Sequence, residues 1–266
     1  MKEKTYINII PMKKKFLYTL LILITTFLYI FSLSQLKMNV QGGTSSLLKA
    51  FDFLMRMLHF DFSEWQDVLK AAVESFSVAI LATIISAVLA FFISFLAASN
   101  VSIRFLPAFI KGVSAVVRAI PTLIWALIFV AYLGFGPFAG VLGLCFHSTA
   151  YLIKAFSESI EEVKGGCLEA MRATGASWIQ AMARGVVPTI QTSLISWTAL
   201  RFEINVGQSA ILGLVGAGGI GQELTINMRS YDFGKAGFVL LIIALMSFGI
   251  ELLFHKLKLK VDNTKL

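Results

Sequence analysis

The sequence predicts an all-α integral membrane protein with six transmembrane helices and both termini in the cytoplasm. Three observations predict it. Of 266 residues, 57% are hydrophobic and only 14% charged, against roughly 25% charged in soluble domains. A chain of this size cannot hide so much apolar side chain, so the surplus faces lipid. The apolar residues gather in long charge-free runs, and Lys and Arg (23 against 15 Asp and Glu) gather between them, as cytoplasmic loops require. No basic stripe is interleaved with base-stacking aromatics, which speaks against a nucleic-acid partner.

Residues 1–36 form the first element, a cytoplasmic N-terminus and a first span. Lys13 to Lys15 precede the charge-free run Phe16 to Leu36. That run exceeds a signal-peptide core of roughly 7–15 residues, and no A-x-A site follows. Residues 37–74 are expected outside. There Leu47, Leu48, Phe51, Leu54, Met55 and Leu58 keep helical spacing, with Lys49, Asp52 and Arg56 opposite. These two stripes predict an interfacial amphipathic helix. Ser63 and Gln66 have capping-box spacing, so a helix is expected from about Glu64 into a second span, Ser75 to Ser102.

From Ala119 to Ile153 no charge appears, and Gly134-Phe135-Gly136-Pro137 interrupts the run. Two spans are predicted, 110–133 and 138–156. A charged loop follows, a fifth span begins after Pro188, and Ala236 to Ile250 forms the core of a sixth. The 255–266 tail is basic. Six crossings put both termini on one side, and Arg104 and Lys111 in a short loop assign that side to the cytoplasm. Lys49, Arg56 and Lys70 fall outside, beside Asp52, Asp61, Glu64 and Asp67.

Within the charged loop 157–188, Glu169 to Pro188 reads EAMRATGASWIQAMARGVVP. Leu168 to Ala173 favour a helix, Gly175 permits a tight reversal, and Trp178 to Ala183 can form a second short helix. Pro188 then starts the next span, where a missing N–H costs little. Two short helices at an angle make a rigid cytoplasmic knob, suited to a cleft in another protein and able to push on spans four and five. The loop resembles that of the membrane subunits of ABC importers: E-A-A, a glycine six residues after the glutamate, and a proline thirteen after that. Glu169, Ala170, Gly175 and Pro188 match; Met171 and Gly185 depart, where the pattern prefers a small residue and isoleucine.

RAIPTLIWALIFV (Arg118 to Val130), RFEINV (Arg201 to Val206) and LGLVGAGGIGQEL (Leu212 to Leu224) resemble the permease of phosphonate ABC importers, over roughly residues 75–250. The family commonly continues RFEINV with an arginine, where this chain has Gly207-Gln208. The resemblance implies the type I importer permease fold, with 75–254 as a five-helix core. It also implies a homodimer, two ATP-binding cassette subunits docking on the loop, an external solute-binding protein and alternating access in the cytoplasmic membrane. No cofactor belongs to this chain; ATP is bound by the partner subunits. The alternatives are a type I importer for methionine or another small solute, and an ATPase-independent channel or secondary transporter.

Gly216, Gly218 and Gly221 also spell G-x-G-x-x-G. A dinucleotide site needs a βαβ unit and an acid about 20 residues on, but Ala236 stands there, entering an apolar run. With Gly219, these glycines are expected to form a flexible or tightly packed element beside an external gate, or plain helix packing. No P-loop is present, since Gly234-Lys235 precedes Ala236, and no HExxH or Ser–His arrangement marks an enzyme. Cys145 and Cys167 lie far apart in sequence, and His59, His147 and His255 are scattered, so neither a disulfide framework nor a metal site is expected.

Arg118, Arg201 and Glu203 fall in or beside apolar runs. A charge at the bilayer centre costs on the order of 2.5–3.5 kcal/mol, so such groups face partners or a water path. Arg201 and Glu203, two apart, take different helix faces. Glu203 is expected to pair with Arg118, or Arg118 to snorkel to the interface. The sharper expectation is that both arginines and Asn205 line a path for a dianionic phosphonate.

Overall fold

The computed structural model describes residues 12–35, 43–163 and 165–263, with the side chains of 12–13, 43–47 and 255–263 excepted. Expectations for the side chains of Leu47 and of the basic tail, and for residues 1–11 and 36–42, lie outside the described residues. Within them every regular element is helical. The chain divides into two units, one up to Leu54 and one from Met55 onward.

In the first unit, α1 (Met12–Gln35) is apolar and exposed all round, as a helix solvated by lipid is. Helix α2 (Gly43–Leu58) spans the unit boundary and shows the expected apolar stripe, with Leu48, Phe51, Leu54, Met55 and Leu58 exposed. Its last turn belongs to the second unit, where the Met57 backbone lies directly against Gly237.

Helix α3 (Trp65–Ala97) is about 50 Å long at 1.5 Å per residue, more than a bilayer core needs. The Ser63–Gln66 capping box is not made. Glu64 is the N-cap without a side-chain cap bond; the Ser63 N–H instead donates to Asp61 Oδ1 at 2.8 Å. Asp61 thus turns the chain two residues earlier, and that N–H holds its carboxyl below the usual carboxylate range.

The predicted third span is not straight. Helices α4 (Leu106–Ala119) and α5 (Thr122–Leu133) meet at 84°. Pro121 drives Ile120 into extended backbone, φ −87° and ψ 123°. Lacking an N–H, Pro121 also orphans the Val117 carbonyl four residues back. The Trp125 indole N–H reaches across the bend to that carbonyl at 3.1 Å, so the acceptor freed by the proline is satisfied.

Helix α6 (Pro137–Glu161) is the central column: 61% of its apolar window is buried, against 33% for α3. It packs on α3, α4, α5 and on α9 (Val187–Leu212). Between α6 and α9 lie α7 (Gly165–Ala173), α8 (Trp178–Ala181) and a π-helical turn, Met182–Val186. After α9 a 3₁₀ turn (Gly213–Val215) leads to α10 (Ile220–Arg229), bent 41° from the preceding helix. The last helix, α11 (Phe233–Asn263), crosses with its Phe233–Phe254 portion. Among the described residues four helices are long and apolar enough to cross a membrane, and the count is six when each broken pair is one span. The expected third and fifth spans are the two broken ones.

Helices α5 and α6 meet in a close seam. A Cβ on Gly143 would lie 2.8 Å from Ala126 Cα, so the two backbones touch. Gly143→Val is expected to force them apart and cost about 1–3 kcal/mol, the usual penalty of overpacking. A thermal melt of the detergent-solubilised protein checks this; an unchanged midpoint would contradict the close approach.

Candidate functional site

Three of the sequence features become concrete structures. The first is the knob. Helix α7 closes in a Schellman turn: the Gly175 N–H donates to the Arg172 carbonyl and the Ala176 N–H to the Met171 carbonyl. Gly175 sits at φ +77°, a conformation that side-chain-bearing residues resist. A true capping box then starts α8. The Gln180 N–H donates to Ser177 Oγ at 3.4 Å, and the Ser177 N–H to Gln180 Oε1 at 2.9 Å. Glu169 and Ala170 are exposed on α7.

The second short helix is not a separate element. It runs through the π turn into α9, the Val187 N–H donating to the Met182 carbonyl five residues back. Pro188, next in line at the start of α9, cannot take part in a regular α ladder, and a π turn absorbs the mismatch. The two departures from the family pattern meet in space. A Cβ on Gly185 would lie 3.1 Å from Met171 Cγ and 3.5 Å from Cys167 Sγ. The large side chain at 171 fills the volume that glycine leaves at 185.

The second feature is a buried polar network. Arg201 is 2% exposed. Its Nε donates to Ser148 Oγ (2.8 Å), and its Nη2 to His147 Nδ1 (3.0 Å) and Gln208 Oε1 (3.2 Å). A guanidinium only donates, so His147 Nδ1 accepts and its proton sits on Nε2. The Tyr151 ring lies 5.3 Å from the guanidinium carbon, a cation–π contact. Ser148 Oγ passes its own proton to Asn205 Oδ1 (2.9 Å), and Asn205 Nδ2 donates to Thr83 Oγ1 (2.8 Å). Thr122 Oγ1 adds a bond to Gln208 Oε1 at 3.3 Å. Four helices, α3, α5, α6 and α9, converge on one cation. Among the described residues no carboxylate pairs with it.

The structure brings together two of the four intramembrane residues singled out from sequence, Arg201 and Asn205. Arg118 ends α4, its Nε donating to the Ser114 carbonyl of its own helix at 3.3 Å. The expected Glu203–Arg118 pair is not formed among the described residues. Glu203 faces another way, into a groove of about 360 Å³ that it shares with Gln208, Ser247 and Glu251. The reason is phase: on α9, Arg201, Asn205 and Gln208 are spaced i, i+4, i+7 on the inward stripe, and Glu203 lies off it. Sequence reasoning missed His147, Ser148, Tyr151, Thr83, Thr122 and Gln208. The polar step His147-Ser148-Thr149 inside a charge-free run was the available signal.

The third feature is the glycine run. Gly216, Gly218 and Gly219 have φ of +85°, +77° and +73°. A Cβ on Gly216 would enter the Phe135 ring, one on Gly218 the Glu74 carboxylate, and one on Gly221 the Ala210 carbonyl. The Gly219 N–H donates to Glu74 Oε1 (3.0 Å), the Ile220 N–H to Ser75 Oγ (2.9 Å), and the Gly136 N–H to the Gly216 carbonyl (3.0 Å). Thus α3 caps the start of α10, and the Gly219 and Ile220 amides are engaged within the fold. The element is tightly packed rather than loose.

Comparison with known proteins agrees with this geometry. The family model described as "Binding-protein-dependent transport system inner membrane component" matches residues 90–258. The chain is 35% identical over 190 residues to the phosphite transport system permease protein PtxC of Stutzerimonas stutzeri, covering 70% of this chain and 68% of that one. It is 37% identical over 188 residues to the phosphate-import permease protein PhnE of Mycolicibacterium smegmatis, covering 70% of this chain and 35% of that protein. Among solved structures, the inward-facing MetNI methionine ABC transporter matches with a TM-score of 0.63 at 20% identity, over 73% of this chain and 97% of that chain. At that identity the likeness establishes the fold.

The Met171–Gly185 contact yields a double-mutant test. Gly185→Ile alone is expected to destabilise the knob, and Met171→Ala alone to leave a cavity. Together they should recover stability, with an interaction energy of about 0.5–3 kcal/mol. Strict additivity in thermal melts of the four proteins would show that the two side chains do not share the space.

Proposed function

The chain belongs to the binding-protein-dependent transport system inner membrane components, and we propose that it forms the path of an ATP-driven importer for phosphonate or a related phosphorus oxyanion. It is a multi-pass membrane component with the type I importer permease fold. The ligand class rests above all on one observation, the buried Arg201 held only by neutral acceptors. A cation withdrawn from water without a counter-ion raises the potential around it and attracts anions. Gln208 links it to the open groove, since its Oε1 accepts from Arg201 while its side chain walls the groove. The relatives named for phosphite and phosphate import support the same class.

The subunit works as a homodimer in this reading. Glu203 and Glu251 line a groove on the outside of the bundle, and carboxylates at such a position are costly against lipid. A second copy related by a two-fold axis covers them and completes a polar path. The ATP-hydrolysing subunits dock on Glu169, Ala170 and the Gly175 turn, and ATP is bound there rather than by this chain. Arg104, Lys111, Lys154, Arg172 and Arg184 lie towards the knob end, among the acids Glu158, Glu161 and Glu169. Lys70, Arg229 and Lys235 lie towards the other, among Glu64, Asp67, Glu74 and Glu223, so the excess of basic residues is at the knob end. The knob end is then cytoplasmic, with both termini, and the Gly216–Gly221 turn sits on the outer side, where the solute-binding protein delivers its ligand.

Arg201→Gln in the complex reconstituted in proteoliposomes should lower methylphosphonate uptake by about tenfold or more, the scale of a lost charge-assisted hydrogen bond in a dry site. Co-purification of the ATPase subunits should be unaffected. Normal uptake by the variant would remove Arg201 from the mechanism, and inhibition of wild-type uptake by methionine but not by phosphite would favour an amino-acid importer.

A further inference from the structure

The knob does not rest on spans α6 and α9 alone. The loop joining α3 to α4, Ala98 to Phe105, lies beneath it. The Trp178 indole N–H at the start of α8 donates to the Val101 carbonyl at 2.9 Å, and the same ring meets Phe95 of α3 edge-on with centroids 6.3 Å apart. Phe95, Ala98, Ile160, Val163, Leu168, Ala181, Met182, Val186 and Ile190 form one buried cluster there. The loop is therefore packed into the foot of the knob.

One carboxylate fastens that loop from the other side. Glu161, the last residue of α6, accepts the Ser99 N–H on Oε1 at 2.7 Å, and Lys111 Nζ of α4 on Oε1 (2.7 Å) and Oε2 (2.8 Å). Beside it the Asn100 amide donates to the Ile160 carbonyl at 2.8 Å. Both partners of the ion pair are largely shielded, with side chains 34% and 25% exposed, so its geometry is held where a surface pair's would not be. Glu161 thus ties the end of α6, the loop and α4 into one body, and Trp178 ties that body to the knob. Beyond α4 stands the Pro121 elbow and then α5, whose first residue, Thr122, bonds to Gln208 beside Arg201.

We propose that Glu161 is a positioning residue for energy coupling: it makes the α3–α4 loop move with the knob, so that a displacement of the knob reaches α4, the elbow and the Arg201 network. The proposal rests on the reading that ATPase subunits dock on the knob. A knob linked only to α6 and α9 would reach α4 through its packing on α6 alone; the fastened loop adds a direct tie. Gln208 and Arg201 lie on α9, which continues from the knob. With the loop fastened, a second route runs along α4 to Thr122 on the far side of the elbow.

The test is the ATP hydrolysed per methylphosphonate imported by the complete complex in proteoliposomes. Glu161→Gln and, separately, Lys111→Met should lower uptake by about tenfold, the scale of allosteric coupling, while solute-stimulated ATP hydrolysis falls less than twofold. Trp178→Phe, which removes the N–H but keeps the ring, should shift the ratio in the same direction. Spin labels on Ile103 and Ile179 read the motion itself. Their separation should stay constant through the nucleotide cycle in the parent protein and vary in the Glu161→Gln complex. An unchanged ratio in all three variants, or labels that part in the parent protein, would overturn the proposal. Docking is read separately: ATPase subunits that still co-purify after Glu169→Arg and Ala170→Arg together would overturn the docking reading on which it stands.

Discussion

A guanidinium withdrawn from water into the centre of a helical bundle must find acceptors, and around Arg201 all of them are neutral. This constraint organises the molecule. To supply them, α6 brings His147, Ser148 and Tyr151 to one turn, α9 sets Arg201, Asn205 and Gln208 on one stripe, and α3 and α5 each contribute a threonine. Ser148 and Thr83 each accept one hydrogen bond and donate another, so the chain of bonds extends from the cation without neutralising its charge. Four helices are thereby held in register by polar contacts that lipid cannot replace. What remains uncompensated is the charge itself, and the proposed function rests on it.

Both broken spans follow from the same rule, that backbone groups inside a membrane need partners. At Pro121 the orphaned Val117 carbonyl is recovered by the Trp125 indole. At the glycine run the first amides of α10 are recovered by Glu74 and Ser75 of α3. The breaks are bends with their hydrogen bonds restored by side chains from neighbouring turns. They turn α4 by 84° from α5 and α10 by 41° from the helix before it, one near the knob end and one near the opposite end.

Much of this architecture was legible in the residues. Charge-free runs located the spans, alternating stripes located α2, and Gly175 with its flanking helix formers located the knob. The elbow was not legible in full, because a proline in an apolar run marks a break but not its angle. Pro121 breaks the helix, and the 84° turn appears only with α5 packed on α6. Ser63 and Gln66 had capping-box spacing, yet Asp61 two residues earlier took the Ser63 amide. His147 was set aside as an isolated histidine because its partner Arg201 lies 54 residues away. The opposite case is Met171 and Gly185, two departures that weaken the motif in sequence and cancel one another across the turn. Pairing Glu203 with Arg118 failed for a simpler reason: composition shows that charges exist, and only helix phase shows which way they face.

The central claim is that the middle of this bundle selects for negative charge. It is tested most directly by equilibrium binding of labelled methylphosphonate to the solubilised complex without its solute-binding protein, in competition with its neutral dimethyl ester and with methionine. Displacement by phosphite and methylphosphonate, weakening as ionic strength rises, with neither the ester nor methionine competing, is the result expected of an uncompensated Arg201. Equal displacement by the neutral ester would contradict it, and would mean that the site reads shape rather than charge.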